Sequence, residues 1–258
     1  MPFTLAHPAA VLPLRKKLFL SALVIGSMAP DFHYFIYFAP DAEASHSLPG
    51  TFLFSLPAGL ALLWLFHWML KKPIISLLPE SQARKLMALA GPFPFTPVSR
   101  LLLILVSLVV GTLTHLLWDS FTHEAGWMVL HYPVLQTIVL NGTPWQRPLY
   151  NVLQHSSGIL GMAAIAIWLG RWIQHASAQP WPAEMQLPDQ TRRRILLMMT
   201  GISLGCSLAF ASYRYAIHHR VPHFAAGFAI AIIIVSFVQL VLYSAWWWKM
   251  RKPLTTTY

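Results

Sequence analysis

Residues 114–119, with the sequence Thr-His-Leu-Leu-Trp-Asp, carry the side chains of this chain that are best suited to chemistry. Residues four apart lie on one face of a helix, so His115, Asp119 and His123 form one polar stripe at the end of an apolar run. An aspartate placed at the centre of a bilayer costs about 2.5–3.5 kcal/mol, and such residues mark functional sites by default. Imidazole and carboxylate together suit zinc, manganese or iron. The alternative interpretation is a hydrogen bond at a helix end.

Two further groups of the same chemistry are Asp31, in the sequence Ala-Pro-Asp, and His46, in the sequence Ser-His-Ser. Pro30 interrupts backbone hydrogen bonding, so Asp31 is expected at a break where its carboxylate turns inward. Pro49 follows His46 at a position that favours the start of a helix. Each residue is also explained as part of an ordinary loop. Their expected convergence with the His115 stripe on one side of a membrane favours a shared site.

The composition places these side chains in a membrane protein. Of the 258 residues, 56% are hydrophobic and 10% are charged, whereas soluble domains carry about 25% charged residues. The net charge of +10 comes from short basic clusters that flank apolar runs, which is the placement that the positive-inside bias produces. This placement argues against nucleic acid as a partner. Cys206 is the single cysteine, so the chain by itself cannot form a disulfide or a cysteine-based zinc site.

Five apolar runs approach the length of about 20 residues that crosses a hydrocarbon core of about 30 Å. They are residues 51–70, 98–118, 157–173, 195–217 and 224–248. We therefore predict an all-α, polytopic transmembrane helical bundle that forms a single membrane domain over residues 1–258. In this prediction residues 1–126 carry the site motifs and residues 157–248 form three further transmembrane helices.

The apolar run at residues 18–28 is too short to cross a membrane by itself. It forms either a sixth span extended by its flanks or one arm of a re-entrant hairpin whose other arm is residues 3–14. The basic cluster at residues 15–17 would lie at the tip of that hairpin. The sequence leaves both alternatives open.

Loop charges orient the predicted helices. The connection at residues 71–100 holds five lysines and arginines against the single acidic residue Glu80, whereas residues 30–50 contain no lysine or arginine. The basic connection and the basic C-terminus are therefore expected in the cytoplasm. The ends of the helices that carry Asp31, His46 and the His115 stripe then face outward.

The motifs Phe-Thr-Leu-Ala-His-Pro-Ala, Ala-Pro-Asp, Ser-His-Ser and Thr-His-Leu-Leu-Trp-Asp-Ser-Phe-Thr-His resemble an uncharacterised family of bacterial inner-membrane proteins. That family is similar to membrane-bound metal-dependent hydrolases, whose ordered pattern is an early His, Pro-Asp, His-Ser and a later His-x-x-x-Asp. The resemblance covers residues up to about Gly126. It implies a multi-pass protein of the bacterial inner membrane. It also implies a set of metal ligands, namely His7, Asp31, His46, His115 and Asp119.

One position departs from the pattern. Relatives often carry an acidic residue and a histidine directly after Pro-Asp, whereas Phe32 and His33 follow Asp31 here. Either His33 substitutes as a ligand or the site has one ligand fewer. The number of metal ions is therefore open.

A divalent metal ion, most simply zinc, would make hydrolysis the expected reaction, because it lowers the pKa of bound water and polarises the bond to be broken. A site at the membrane face suits a lipid-borne ester or phosphoester, with membrane lipids as partners. When they are not bound to the metal, Asp119 or Asp31 would act as base, and His123 would act as acid. Three arginines on the predicted outer side are candidates for neutralising substrate phosphate, although solvated loop charge explains them equally. They are Arg147, Arg214 and Arg220.

The main alternative is a transporter or lipid-handling protein in which the His and Asp groups relay protons or bind a translocated cation. A relay needs polar groups along the whole membrane path, whereas residues 195–217 and 224–248 contain few. This distribution favours a site on one side of the membrane. A structural membrane subunit is a third alternative, and it leaves the convergent motifs unexplained. The sequence does not indicate an oligomeric state.

Overall fold

The computed structural model describes residues 3–38 and 44–251, and its regular structure is almost entirely helical. The helices are α1 (Pro8–Val11), α2 (Leu20–Gly26), α3 (Phe32–Tyr37), α4 (Leu48–Ser76), α5 (Glu80–Leu86), α6 (Val98–Thr122), α7 (Trp127–His131), α8 (Leu149–His175), α9 (Asp189–His218) and α10 (Val221–Met250). Two short strands, β1 (Ile138–Val139) and β2 (Arg147–Pro148), pair in antiparallel fashion. Single 3₁₀ turns occur at Thr4–Ala6, Leu12–Lys16, Ala29–Asp31, Met87–Leu89, Pro133–Gln136 and Ala183–Met185. Helix α4 contains π-helical turns at Thr51–Ser55 and Phe66–Leu70.

Within the described ranges, five helical stretches are long and apolar enough to cross a membrane. They are Leu48–Ser76, Val98–His131, Leu149–His175, Ala183–His218 and Val221–Met250. Each contains one of the five predicted apolar runs. Large apolar side chains on them, such as Leu53, Ile159 and Leu242, are exposed, which is expected of surfaces that face lipid. The prediction of an all-α, multi-pass membrane protein is therefore confirmed.

The described residues divide into two compact units that alternate along the chain. The first unit comprises residues 3–33, 44–63 and 94–172, and the second comprises residues 34–38, 64–93 and 173–251. All predicted metal ligands belong to the first unit. The single membrane domain stays a prediction.

In the first unit, α2 packs on α6 through a contact between backbones. A Cβ atom added to Gly26 would meet the carbonyl oxygen of Leu108, and one added to Gly111 would meet the Leu23 carbonyl oxygen and the Ser27 nitrogen. Small residues allow membrane helices to approach in this way. The approach fixes where the chain that follows α2 lies along α6.

The contacts along α6 favour the hairpin alternative for the N-terminal segment. His7 lies beside Asp119, the Phe19 amide donates to the Ser107 hydroxyl at 3.1 Å, and the Ser27 carbonyl lies beside His115. The chain thus runs along α6 from Asp119 to Ser107 and then returns, a depth of twelve residues or about 18 Å. This depth is less than the hydrocarbon thickness of about 30 Å. Because its backbone packs against protein, such a hairpin is compatible with lipid.

The buried hydroxyl of Thr112 contributes to this packing, since it lies 3.1 Å from both the Gly26 carbonyl oxygen and the Leu108 carbonyl oxygen of its own helix and can donate to either. We expect Thr112→Val to lower the free energy of unfolding by about 1 kcal/mol, because the carbonyl loses an interhelical donor. Thr114→Val is the matched control, because the Thr114 hydroxyl donates to Gly111 of its own helix. Reversible unfolding in mixed detergent micelles measures both variants. An equal loss in the control would contradict a specific role for Thr112.

In the second unit, α9 and α10 form an antiparallel pair. The Gln239 amide donates to the Ser203 hydroxyl at 2.7 Å and to the Met199 carbonyl at 3.2 Å, and the hydroxyls of Ser203 and Ser236 lie 3.0 Å apart. Polar side chains inside a membrane bundle form hydrogen bonds with groups on a neighbouring helix in this manner. A separate apolar cluster includes Ile75, Leu77, Ala83, Trp181, Met185, Tyr243 and Trp247.

Candidate metal centre

The predicted ligands are positioned by three different kinds of local structure. His7 and Asp31 lie at 3₁₀ turns beside the two ends of the N-terminal hairpin. His46 precedes α4, whose first turn is capped by the Ser47 hydroxyl accepting from the Gly50 amide at 3.0 Å. His115 and Asp119 lie one turn apart on α6. The helical stripe and the two loop motifs therefore reach one point from separate elements.

The ion-pair distances show that these side chains converge. The Nε2 atom of His115 lies 3.1 Å from Oδ2 of Asp119 and 3.6 Å from Oδ1 of Asp31. The Nε2 atom of His46 lies 3.2 Å from the same Asp31 oxygen and 3.6 Å from the same Asp119 oxygen. The two Nε2 atoms are 3.2 Å apart. Four potential ligand atoms thus surround a small volume.

His7 joins this group from the N-terminus. Its Nε2 atom lies 3.2 Å from Oδ1 of Asp119, and its ring stacks on the His115 ring with centroids 3.9 Å apart. Ligand atoms of His7, Asp31 and His115 all lie within 4.8 Å of one another, as do those of His46, His115 and Asp119. Both triads are groups that can hold a metal ion.

Backbone carbonyls determine which nitrogen faces the centre. The Nδ1–H of His115 donates to the Ser27 carbonyl at 2.8 Å, and that of His7 donates to the Thr4 carbonyl at 3.3 Å. Since a carbonyl only accepts, Nδ1 carries the proton, and in the neutral ring Nε2 presents a lone pair to the carboxylates. Outer hydrogen bonds of this type orient histidine ligands in metal sites.

The donor set fits a divalent cation. When the histidine rings are neutral, their Nε2 lone pairs and the two carboxylates repel one another unless a positive charge lies between them. Ligand atoms held 2.0–2.1 Å from a tetrahedral zinc ion lie about 3.3–3.4 Å apart, and the five separations measured among the four atoms are 3.1–3.6 Å. In addition, Oδ2 of Asp31 is buried without a hydrogen-bond partner among the described residues. Histidine with carboxylate suits zinc, iron or manganese.

The centre is closed on one side and open on the other. His7, Asp31 and His115 are buried, whereas 13% of the Asp119 side chain and 17% of the His46 side chain are exposed. His123 lies at this open side, 29% exposed, with Nδ1 at 3.4 Å from Oδ1 of Asp119. Catalytic zinc sites keep a position open for water or substrate in this way, whereas structural sites are closed.

The Asp31 carboxyl keeps its negative charge in this setting. Burial by itself would raise its pKa, but in the absence of a metal ion the hydrogen bond from His46 and the positive charges of His115 and His7 when protonated outweigh burial. The pKa of Asp31 is therefore below its ordinary value. An ionised carboxylate is the form that binds a metal ion.

Other predicted residues lie elsewhere. The ring of His33 packs edge-on against Phe54 at 5.7 Å, and His33 belongs to neither triad of potential ligands. Arg147 is exposed and donates to the Gln146 carbonyl at 2.8 Å. Arg214 and Arg220 belong to the second unit. A role of these arginines at the metal centre stays a prediction.

Sequence reasoning missed the groups that support the centre. The carbonyls of Thr4 and Ser27 carry no signal in a sequence, because every residue has a carbonyl. The small residues Gly26 and Gly111 did carry a signal, since each lies on an apolar helix within a few residues of a candidate ligand. Gln154, whose amide nitrogen lies 3.5 Å from Nε2 of His123, was also missed.

The fold and the cluster define a multi-pass α-helical membrane protein with a buried histidine and aspartate centre that can hold a metal ion. The chain belongs to an uncharacterised family, because residues 1–250 match the family model described as Domain of unknown function (DUF4184). A search of curated proteins and a search of solved structures each found no match. The family match extends well beyond residues 1–126, where the sequence motifs lie.

Proposed function

We propose that this protein is a membrane-bound metal-dependent hydrolase that acts on a lipid-borne ester or phosphoester. The observation that supports it most is the pair of potential metal-ligand triads that share His115, one of which includes the partly exposed His46 and Asp119. A site that only binds a metal ion would need only a closed set of ligands. The exposed side at Asp119 and His46 leaves space for a substrate.

In this proposal His46, His115, Asp31 and Asp119 hold one divalent ion, with His7 as a further ligand, and zinc is the first candidate. The bound ion would supply a water of lowered pKa and would polarise the scissile bond. Closure of the buried side by the hairpin keeps competing water away from His7 and His115. The carbonyls of Thr4 and Ser27 hold those two rings in the required orientation.

The remaining chemistry falls to side chains at the open side. The attacking water gives one proton to a carboxylate oxygen. The candidates are an oxygen of Asp119, whose side chain is 13% exposed, and the buried Oδ2 of Asp31. As the bond from phosphorus or carbon to the leaving oxygen breaks, His123 gives a proton to that oxygen. The position of His123 between Asp119 and Gln154 supports this role.

The place of the centre supports a lipid substrate. It lies near the C-terminal end of α6, a helix long and apolar enough to cross a membrane, so the reacting group must come close to a membrane surface. The loop charges support an orientation with this end outside and the C-terminus in the cytoplasm. The proposed location is the inner membrane of a bacterium.

Hydrolysis by the full chain in neutral detergent tests this function. Purified protein loaded with zinc or manganese is incubated with phospholipids and polyprenyl phosphates, and released products are quantified with and without a chelator. Chelator-sensitive hydrolysis is the expected result. Metal-loaded protein that hydrolyses none of these substrates and instead moves the cation across vesicle membranes would contradict the proposal and support transport.

His123→Gln tests the acid role. Glutamine retains hydrogen bonding but does not supply the proton, so we expect kcat to fall by about 10²–10⁴-fold while bound metal stays near the wild-type amount. His131→Gln is the control, because His131 is exposed and its Nδ1–H donates to the Trp127 carbonyl of its own helix. Loss of metal in His123→Gln would instead identify His123 as a ligand.

A further inference from the structure

A group of basic side chains lies at the turn between α9 and α10 in the second unit. Arg214 and His218 are four residues apart on α9, and His223 lies in the first turn of α10. The rings of His218 and His223 stack with centroids 4.2 Å apart, and Arg214 and Arg220 are close enough to act electrostatically on His218. The sequence contains no aspartate or glutamate after Asp189. The positive charge of this group is therefore not balanced by acidic residues of its own segment.

The side chain of Arg214 packs on a glycine of the neighbouring helix. A Cβ atom on the buried Gly227 of α10 would lie 3.1 Å from Cγ and 3.4 Å from Cβ of Arg214. The stem of Arg214 therefore crosses the neighbouring helix where a side chain is missing. This contact holds the Cβ and Cγ atoms of Arg214 against α10.

Two nitrogens of the group are buried without an acceptor. Nε of Arg214 and Nδ1 of His223 are inaccessible and have no hydrogen-bond partner among the described residues. A buried donor left unsatisfied costs about 1–3 kcal/mol. A rotation of the two side chains that turns these nitrogens toward a bound anion would remove this cost.

We propose that Arg214, His218, Arg220 and His223 form a binding site for a phosphate group, distinct from the metal centre. Guanidinium groups bind phosphate through two parallel hydrogen bonds, and imidazoles add further donors. Arg214 lies one turn, or about 6 Å, from the end of α9. Because α9 is long and apolar enough to cross a membrane, we expect this end near a membrane surface. The site takes the phosphate of a lipid headgroup or free phosphate. It does not depend on the proposed hydrolase activity, because none of its residues is a candidate metal ligand.

Binding measurements on the full chain in neutral detergent test this site. Isothermal titration is carried out with dihexanoyl phosphatidylglycerol and, separately, with inorganic phosphate. We expect Arg214→Gln to weaken binding at least about tenfold, because the two parallel charge-assisted hydrogen bonds from the guanidinium group to the phosphate are lost. Arg193→Gln removes the same charge near the other end of α9, where Arg193 is exposed, and its affinity should stay within about twofold of wild type.

The two ligands distinguish the sources of phosphate. Arg214-dependent binding that is much tighter for the lipid supports a headgroup site, and equal Arg214-dependent binding of inorganic phosphate supports a site for the free ion. Wild-type affinity in Arg214→Gln, or an equal loss in Arg193→Gln, would overturn the proposal in favour of general charge attraction. If Arg214→Gln does not fold, His223→Gln provides the same test, because it leaves the Arg214 stem on Gly227.

Discussion

Replacing His115 by alanine is expected to weaken metal binding by more than about 100-fold, since loss of an outer partner of a ligand already costs about 10–100-fold. His115 belongs to both triads of potential ligands, and its ring is fully buried. The Ser27 carbonyl fixes its Nδ1 proton, so its Nε2 atom faces the other potential ligands. Competition with a fluorescent zinc chelator measures the affinity.

The control for this prediction is His155→Ala. His155 is an exposed histidine of the same unit, so its removal tests whether any surface imidazole contributes to bound metal. Asp119→Ala should behave like His115→Ala, because one carboxylate oxygen of Asp119 contacts His7 and the other contacts His115. Unchanged affinity in folded His115→Ala protein would show that the metal centre has been assigned to the wrong residues.

Gly111→Val is expected to destabilise the first unit by about 3 kcal/mol and to abolish metal binding together with stability. The added side chain would meet the Leu23 carbonyl and the Ser27 nitrogen, which are backbone atoms and cannot rotate away. Moving Ser27 also removes the acceptor that orients His115. The unfolding midpoint and the metal content of the same sample measure both effects.

Gly170→Val provides the comparison for the glycine prediction. Gly170 lies on α8 with nothing within 4 Å of an added Cβ, so the two variants share the change in helix propensity and differ in packing. Valine at position 170 should leave the unfolding midpoint close to wild type. Equal destabilisation by the two substitutions would contradict the close approach of α2 and α6.

The sequence predicts the membrane helices well, because both length and composition are local properties. Each apolar run reappears inside a longer helical stretch. The stripe of His115, Asp119 and His123 was likewise predictable, since a spacing of four residues is enough to place side chains on one helical face. These features need no knowledge of tertiary structure.

The N-terminal hairpin was not decided by the sequence. The basic cluster at residues 15–17 favours a full crossing, whereas the short run after it favours a hairpin. The choice depends on the contact of Gly26 and Gly111, which brings α2 alongside the half of α6 that ends at the centre. Long-range packing of this kind leaves no periodic pattern in the amino-acid sequence.

The position of His7 in the site likewise depends on long-range packing that the sequence does not predict. His7 and Asp119 are 112 residues apart in the chain and 3.2 Å apart in the structure. Nothing in the residues around His7 indicates its partner, and only the family resemblance associated it with the other ligands. In the group at Arg214, the sequence identified the charges of the arginines, whereas the stacking of His218 on His223 depends on the packing of two helices.

The most direct test of the account is the metal content of the wild-type protein, measured by elemental analysis after purification in neutral detergent and after incubation with zinc or manganese. The account predicts close to one divalent ion per chain, bound tightly enough to survive gel filtration. Protein whose unfolding transition shows that it is folded, but which holds no metal after both incubations, would contradict the metal centre and with it the proposed hydrolase.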